Sequence, residues 1–93
     1  MFGSIEFENF EGLTKMPQKA ASAWSGAMLG LVGVDYKPLV YVGTQPVKGT
    51  NYHFIVEQTL MTYPIVRRIA TLAINEFEGK YTIVPDSIKT IFA

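Results

Sequence analysis

The strongest constraint on this chain is a reversal at Gln45-Pro46-Val47-Lys48-Gly49, which separates two strand-like runs, Leu39-Val40-Tyr41-Val42 and Tyr52-His53-Phe54-Ile55-Val56. β-Branched and aromatic residues suit a pleated, half-buried surface, whereas Pro and Gly in the connection disfavour one unbroken strand. The segment predicts a hairpin with an exposed tip. Residues at such a tip are presented to a partner.

The remaining pattern supplies what that hairpin packs against. Ile5 and Phe7 alternate with Glu6 and Glu8, which predicts a short strand near residues 4–10, ended by Gly12. Pro17 suits the first turn of a helix starting near 16 or 17, with Thr14 or a neighbour as its cap. Ala20, Trp24, Ala27 or Met28, and Leu31 recur at three- or four-residue spacing, so one stripe faces a core and Gly33 stands as the helix stop. Ser22, Gly26 and Gly30, with Ala23 and Ala27, would let a sheet backbone come close to this helix.

Strands are predicted at 38–46, 50–61, 65–76 and 81–91, with turns at Pro46–Gly49, Thr62-Tyr63-Pro64 and Glu78-Gly79. Tyr52, Phe54 and Val56 share the face assigned to the helix. In the third run Ile69 falls on one parity while Leu72 and Ile74 fall on the other, which requires a bulge or apolar cover on both faces. Pro85 pushes the last run to an edge or interrupts it. The expected fold is α+β, one long helix packed across a four- to five-stranded antiparallel sheet, with residues 1–93 as a single domain.

Composition removes several function classes. Ninety-three residues hold one core, and 48% hydrophobic against 17% charged residues argues for a packed domain. Eight Lys plus Arg balance eight Asp plus Glu, so neither nucleic acid nor an anionic membrane is an expected partner. The absence of Cys excludes a disulfide framework, a thiolate metal site and a cysteine nucleophile, and fits a cytoplasmic location. No export signal is read at the start, and the charge-free run from Ala20 to Val34 falls short of the roughly twenty residues a spanning helix needs. His53 and Glu57 are the one pairing worth considering for catalysis, and two such groups on an open sheet face read as surface, so no enzyme, cofactor or metal is expected. Arg67, Arg68 and Lys80 form a modest basic cluster that reads as a solvated strand end.

Gln45-x-Val47-x-Gly49, followed by Thr50-Asn51-Tyr52, resembles the first inhibitory hairpin of the cystatins, which block papain-like cysteine proteases. Chain length, one helix before the hairpin and the lack of Cys are similar to the stefin-like, intracellular branch. The resemblance implies a wedge of an N-terminal glycine and two hairpins that occludes the protease cleft without covalent chemistry. Gly3 takes the place of that glycine, with Gly12 as its rival. Gln45 would anchor the loop, Pro46 stiffen it, Val47 make a small apolar contact and Gly49 supply backbone freedom.

Asn75, Glu76, Phe77, Glu78 and Gly79 would form the second hairpin edge, with Phe77 as its apolar contact. Here the chain departs from the many secreted cystatins that carry Pro-Trp, since its one Trp, Trp24, lies in the predicted helix. Lys48 is unusual for an apolar cleft and would suit an acidic target. The expected function is reversible, non-covalent inhibition of a papain-like cysteine protease. The alternative is a cystatin-fold binding or assembly module without inhibitory activity, homodimerising by domain swapping with the first loop as hinge.

Overall fold

The computed structural model describes Glu6–Phe7 and residues 16–92. Strand β1 (Glu6–Phe7) is followed by helix α1 (Gln18–Met28) and then by β2 (Val34–Val47), β3 (Gly49–Leu60), β4 (Val66–Phe77), β5 (Lys80–Ile83) and β6 (Lys89–Phe92). One antiparallel sheet runs in the order β1-β2-β3-β4-β5, and β6 joins β4 further along the edge that β5 occupies. One helix lies on one face of that sheet, the α+β arrangement that the alternating runs predict.

Period-two alternation decides which side chains meet the helix. Tyr52, Phe54 and Val56 of β3 are buried, opposite Ile74, Leu72 and Ala70 of β4, and Tyr41 of β2 completes the layer. Ala20 and Ala23 of α1 are fully buried against it, small enough to bring the helix close. Trp24 meets Phe54 edge-on with ring centroids 5.0 Å apart, and Tyr41 meets the same ring at 5.6 Å. Burying side chains such as Phe54, Leu72, Ile74 and Val56 contributes about 1.5–3 kcal/mol each. Gln58 and Tyr36 seal the layer away from the hairpin tips through a 3.1 Å bond from Nε2 to the hydroxyl.

The helix is shorter than its stripe predicts. It stops at Met28, Leu29 is extended, and the stop is Gly30 at φ +78 rather than Gly33. Leu31 therefore leaves the stripe and is exposed. Pro17 stands at the cap position without a side-chain cap bond, its carbonyl accepting from the Ala21 amide at 3.0 Å, and Thr14 lies outside the described residues. Of the small series, Gly26 packs beneath the Tyr81 ring, where a Cβ would come within 2.5 Å of it, whereas Gly30 faces open space. The close neighbour at Gly26 is thus a side chain and not sheet backbone.

β2 begins four residues before the expected start and accommodates Pro38, on a strand that among the described residues is paired on its outer side by β1 at Gly43 and Thr44 alone. Extra residues at Leu39 and Val42 shift its register against β3. The mixed parity of β4 reflects apolar cover on both faces, since its ladder with β3 is unbroken and the Ala73 side chain is buried opposite the helix side. The last predicted strand, 81–91, is split by a 3-10 turn at Pro85–Ser87 into β5 and β6. Ser87 pins that turn to β4: its Oγ accepts from the Ala73 amide at 2.8 Å and donates to the Val84 carbonyl at 2.6 Å, while Thr71 donates to the Ser87 carbonyl at 2.7 Å.

Candidate functional site

Hairpin lengths place the two predicted contact segments side by side. β2 and β3 remain paired to Val47 opposite Gly49, so the chain reverses at Lys48 alone, with Gly49 at φ +88. β4 and β5 reverse through Glu78 and Gly79, both at positive φ, between the paired Phe77 and Lys80. Thr50 lies opposite Glu76, so both tips extend about equally beyond one rung. β1 flanks them on the other side: Glu6 pairs with Thr44 and Phe7 with Gly43, so its amino-terminal end is directed toward the Lys48 tip. Gly3 and Gly12 lie outside the described residues.

The tips are bonded to each other. Asn75 donates its amide to the Lys48 carbonyl at 3.2 Å and to Asn51 Oδ1 at 2.9 Å. The Lys48 ammonium sits 5.3 Å from the centre of the Phe77 ring, a cation–π contact across the gap. Gly49 is where the hairpins touch most closely, because a Cβ there would collide with the Glu76 carbonyl. Its smallness serves close approach as well as backbone freedom. Pro46, Lys48, Phe77 and Gly79 are exposed, while Gln45, Val47 and Gly49 are half-buried. Phe77 thus stands at the surface, not in the core.

No family model, curated protein or solved structure matches this chain. The site is therefore read from its own chemistry. Val47 borders a cleft of about 370 Å³ on the face away from the helix, which Asn51, Asn75, Ile83, Val84 and Pro85 also line. Sequence reasoning did not reach Asn51 as a bridge or the Ile83–Pro85 wall. Asn51 was legible in principle, since it shares a rung with Gln45 and Asn75 once the hairpin lengths are set. The wall depends on the turn that splits the last strand.

Gln45 is held on the same outer face by His53, whose Nε2 lies 3.0 Å from Gln45 Oε1, so the ring N–H donates to the amide oxygen. Burial lowers the His53 pKa from its ordinary value and favours the neutral ring. Glu57 shares this face but stands about 13 Å along the strand at about 3.3 Å per residue, so the two do not act as a pair. The predicted basic cluster also does not form: Lys80 lies opposite Phe77 beside the tips, whereas Arg67 and Arg68 begin β4 at the other end of the sheet. On the helix side, Tyr52 and Tyr81 line a cleft of about 530 Å³ with Lys19 and Glu76, and burial, then Glu76 and Tyr81, raises the Tyr52 pKa. Among the described residues no group of three or more His, Cys, Asp or Glu is placed to hold a metal ion, and no helix is long and apolar enough to cross a membrane.

Proposed function

We propose that this chain is a cystatin-type inhibitor that fills the cleft of a papain-like cysteine protease reversibly and without covalent chemistry. The observation that carries this reading is the tie between the two tips, in which Asn75 bonds the Lys48 carbonyl while Pro46, Lys48 and Phe77 remain exposed. Docking a preordered edge loses little conformational entropy, and Gly49 with Pro46 fixes the edge before any partner arrives. Val47 and the Ile83–Pro85 wall supply apolar surface beside it. Lys48 favours a target whose cleft carries an acidic rim. Gly3 would add the third contact, since β1 is directed toward the Lys48 tip. The reading assigns no enzymatic role and belongs with a cytoplasmic location.

Titration against papain tests it. Inhibition by the unaltered chain and its loss in Val47→Asp, with an unchanged thermal melt, is the expected result. Papain that keeps full activity at a large excess of the unaltered chain overturns the proposal.

A further inference from the structure

Exposed apolar side chains are distributed very unevenly along the molecule. Nine large hydrophobic residues are exposed among those described, and of these only Phe77 belongs to the tip end. Leu29, Leu31 and Val32 come from the link between α1 and β2. Met61, Tyr63 and Ile65 come from the turn between β3 and β4. A bond from the Met61 amide to the Gly33 carbonyl, 3.0 Å long, holds these two loops together at the opposite end of the sheet. β6 runs toward the same end but stops short of it. Phe92 pairs with Ile69, inward of Arg67 and on the rung of Glu57 and Lys37, so exposed Ile91 and Phe92 belong to the rim of that end and not to its face. Tyr63 and Val32, 104% and 90% exposed, stand clear of the rest of the chain. Six exposed apolar side chains on two loops bonded to each other make the kind of surface that marks an interaction site.

Charge identifies the occupant. Residues 20–34 and 58–66 carry no charged side chain. The nearest charges lie on the first rungs inward, where Asp35 and Arg67 both oppose Thr59, and Lys37 opposes Glu57. Arg68 lies beside them, and Arg67, Arg68, Glu57 and Phe92 border one small cleft. An anionic lipid surface would be served by cations alone. A rim with acids interleaved among bases can be self-complementary, since a two-fold axis passing between an acid and a base sets each against the other in the partner copy. The net charge of zero adds no long-range repulsion between copies. β2, with fourteen residues, runs along the longest axis, 38 Å, so the whole cross-section at either end is at most 26 by 26 Å. Burial at that end is therefore bounded at roughly 700 Å² per copy, below the roughly 800 Å² per partner of a standard specific interface, which suits a weak and reversible dimer.

We propose that this apolar end is the interface of a reversible, two-fold, end-to-end dimer of the chain, with both hairpin tips free at the outer poles. No element is exchanged in it, and it does not depend on the inhibitory reading. Sedimentation velocity through the micromolar range tests it. The full chain is expected to pass from monomer to dimer, and Val32→Asp or Tyr63→Asp to weaken the dimer by about 30-fold or more, as for a central contact of an interface. Val32→Ser serves as a milder companion, circular dichroism confirms that each variant is folded, and Phe77→Asp at the far pole is expected to leave the dimer constant unchanged. Three results would each overturn the proposal: a monomer at every concentration, a dimer that survives the Val32→Asp/Tyr63→Asp double variant as a strand-swapped one would, or a monomer that co-sediments with phosphatidylcholine–phosphatidylserine vesicles.

Discussion

Gly49→Ala isolates the closest approach between the two hairpins. An alanine there faces two separate penalties, one from its backbone and one from its neighbours. At φ +88 the residue lies in the left-handed region, which costs a residue with a Cβ about 1–2 kcal/mol. The added methyl would also collide with the Glu76 carbonyl oxygen, with the Glu76 carbonyl carbon at 3.0 Å and Phe77 Cβ at 3.1 Å. The obstacle is backbone held in the ladder beside the Thr50 and Glu76 pair, so it yields only by moving the strand, and overpacking of this kind costs about 1–3 kcal/mol. The combined loss is about 2–5 kcal/mol, a large share of the roughly 5–15 kcal/mol that holds a domain together. Gly79→Ala is the matched control: its φ is +79, a methyl group there would meet no atom within 4 Å beyond its chain neighbours, and only the backbone penalty applies. Urea unfolding of both variants gives the comparison directly. Equal losses at the two positions would refute the close contact between the tips.

Three further outcomes follow from the same geometry. Ser87→Ala removes the acceptor of the buried Ala73 amide and should cost about 1–3 kcal/mol in urea unfolding, with β5 and β6 loosened together in hydrogen exchange. Asn75→Ala breaks the bonds to the Lys48 carbonyl and Asn51, which should cost about 1 kcal/mol in a thermal melt and weaken papain inhibition more than that loss of stability explains. For His53 the folded pKa lies below the unfolded value near 6.5, so the unfolded chain binds the proton more readily and stability falls as pH drops below about 6.5. Melts from neutral pH down to about 5 should show that decline and its attenuation in His53→Gln, and a variant with an unchanged slope would exclude the histidine as its source.

The sheet was legible because its strands carry their instructions locally. Alternation along Tyr52–Val56 set which face meets the helix, and Pro with Gly marked the reversals. What escaped were choices between local signals of similar strength. Gly30 and Gly33 are both at positive φ, and nothing in the spacing says which of them ends the helix. Pro85 marked an interruption, but the recapture of the chain by β4 depends on Ser87 reaching Ala73, a contact fourteen residues apart. Within the candidate site, the Gln45–Gly49 tip was visible as a motif, whereas its partnership with Asn75 required two hairpin lengths to agree. The apolar end was hidden because Leu31 reads as a stripe residue until the helix is seen to stop at Met28.

Among the described residues β1 covers Gly43 and Thr44 on the outer margin of β2, and a strand margin left uncovered would ordinarily template the addition of further chains. Pro38 has no amide hydrogen to offer an incoming strand, and the supernumerary residues at Leu39 and Val42 put the backbone groups out of step with a straight one. Lateral zippering into fibrils is thereby disfavoured even when the protein is concentrated, and the long hairpin keeps its length without becoming a seed for cross-β growth.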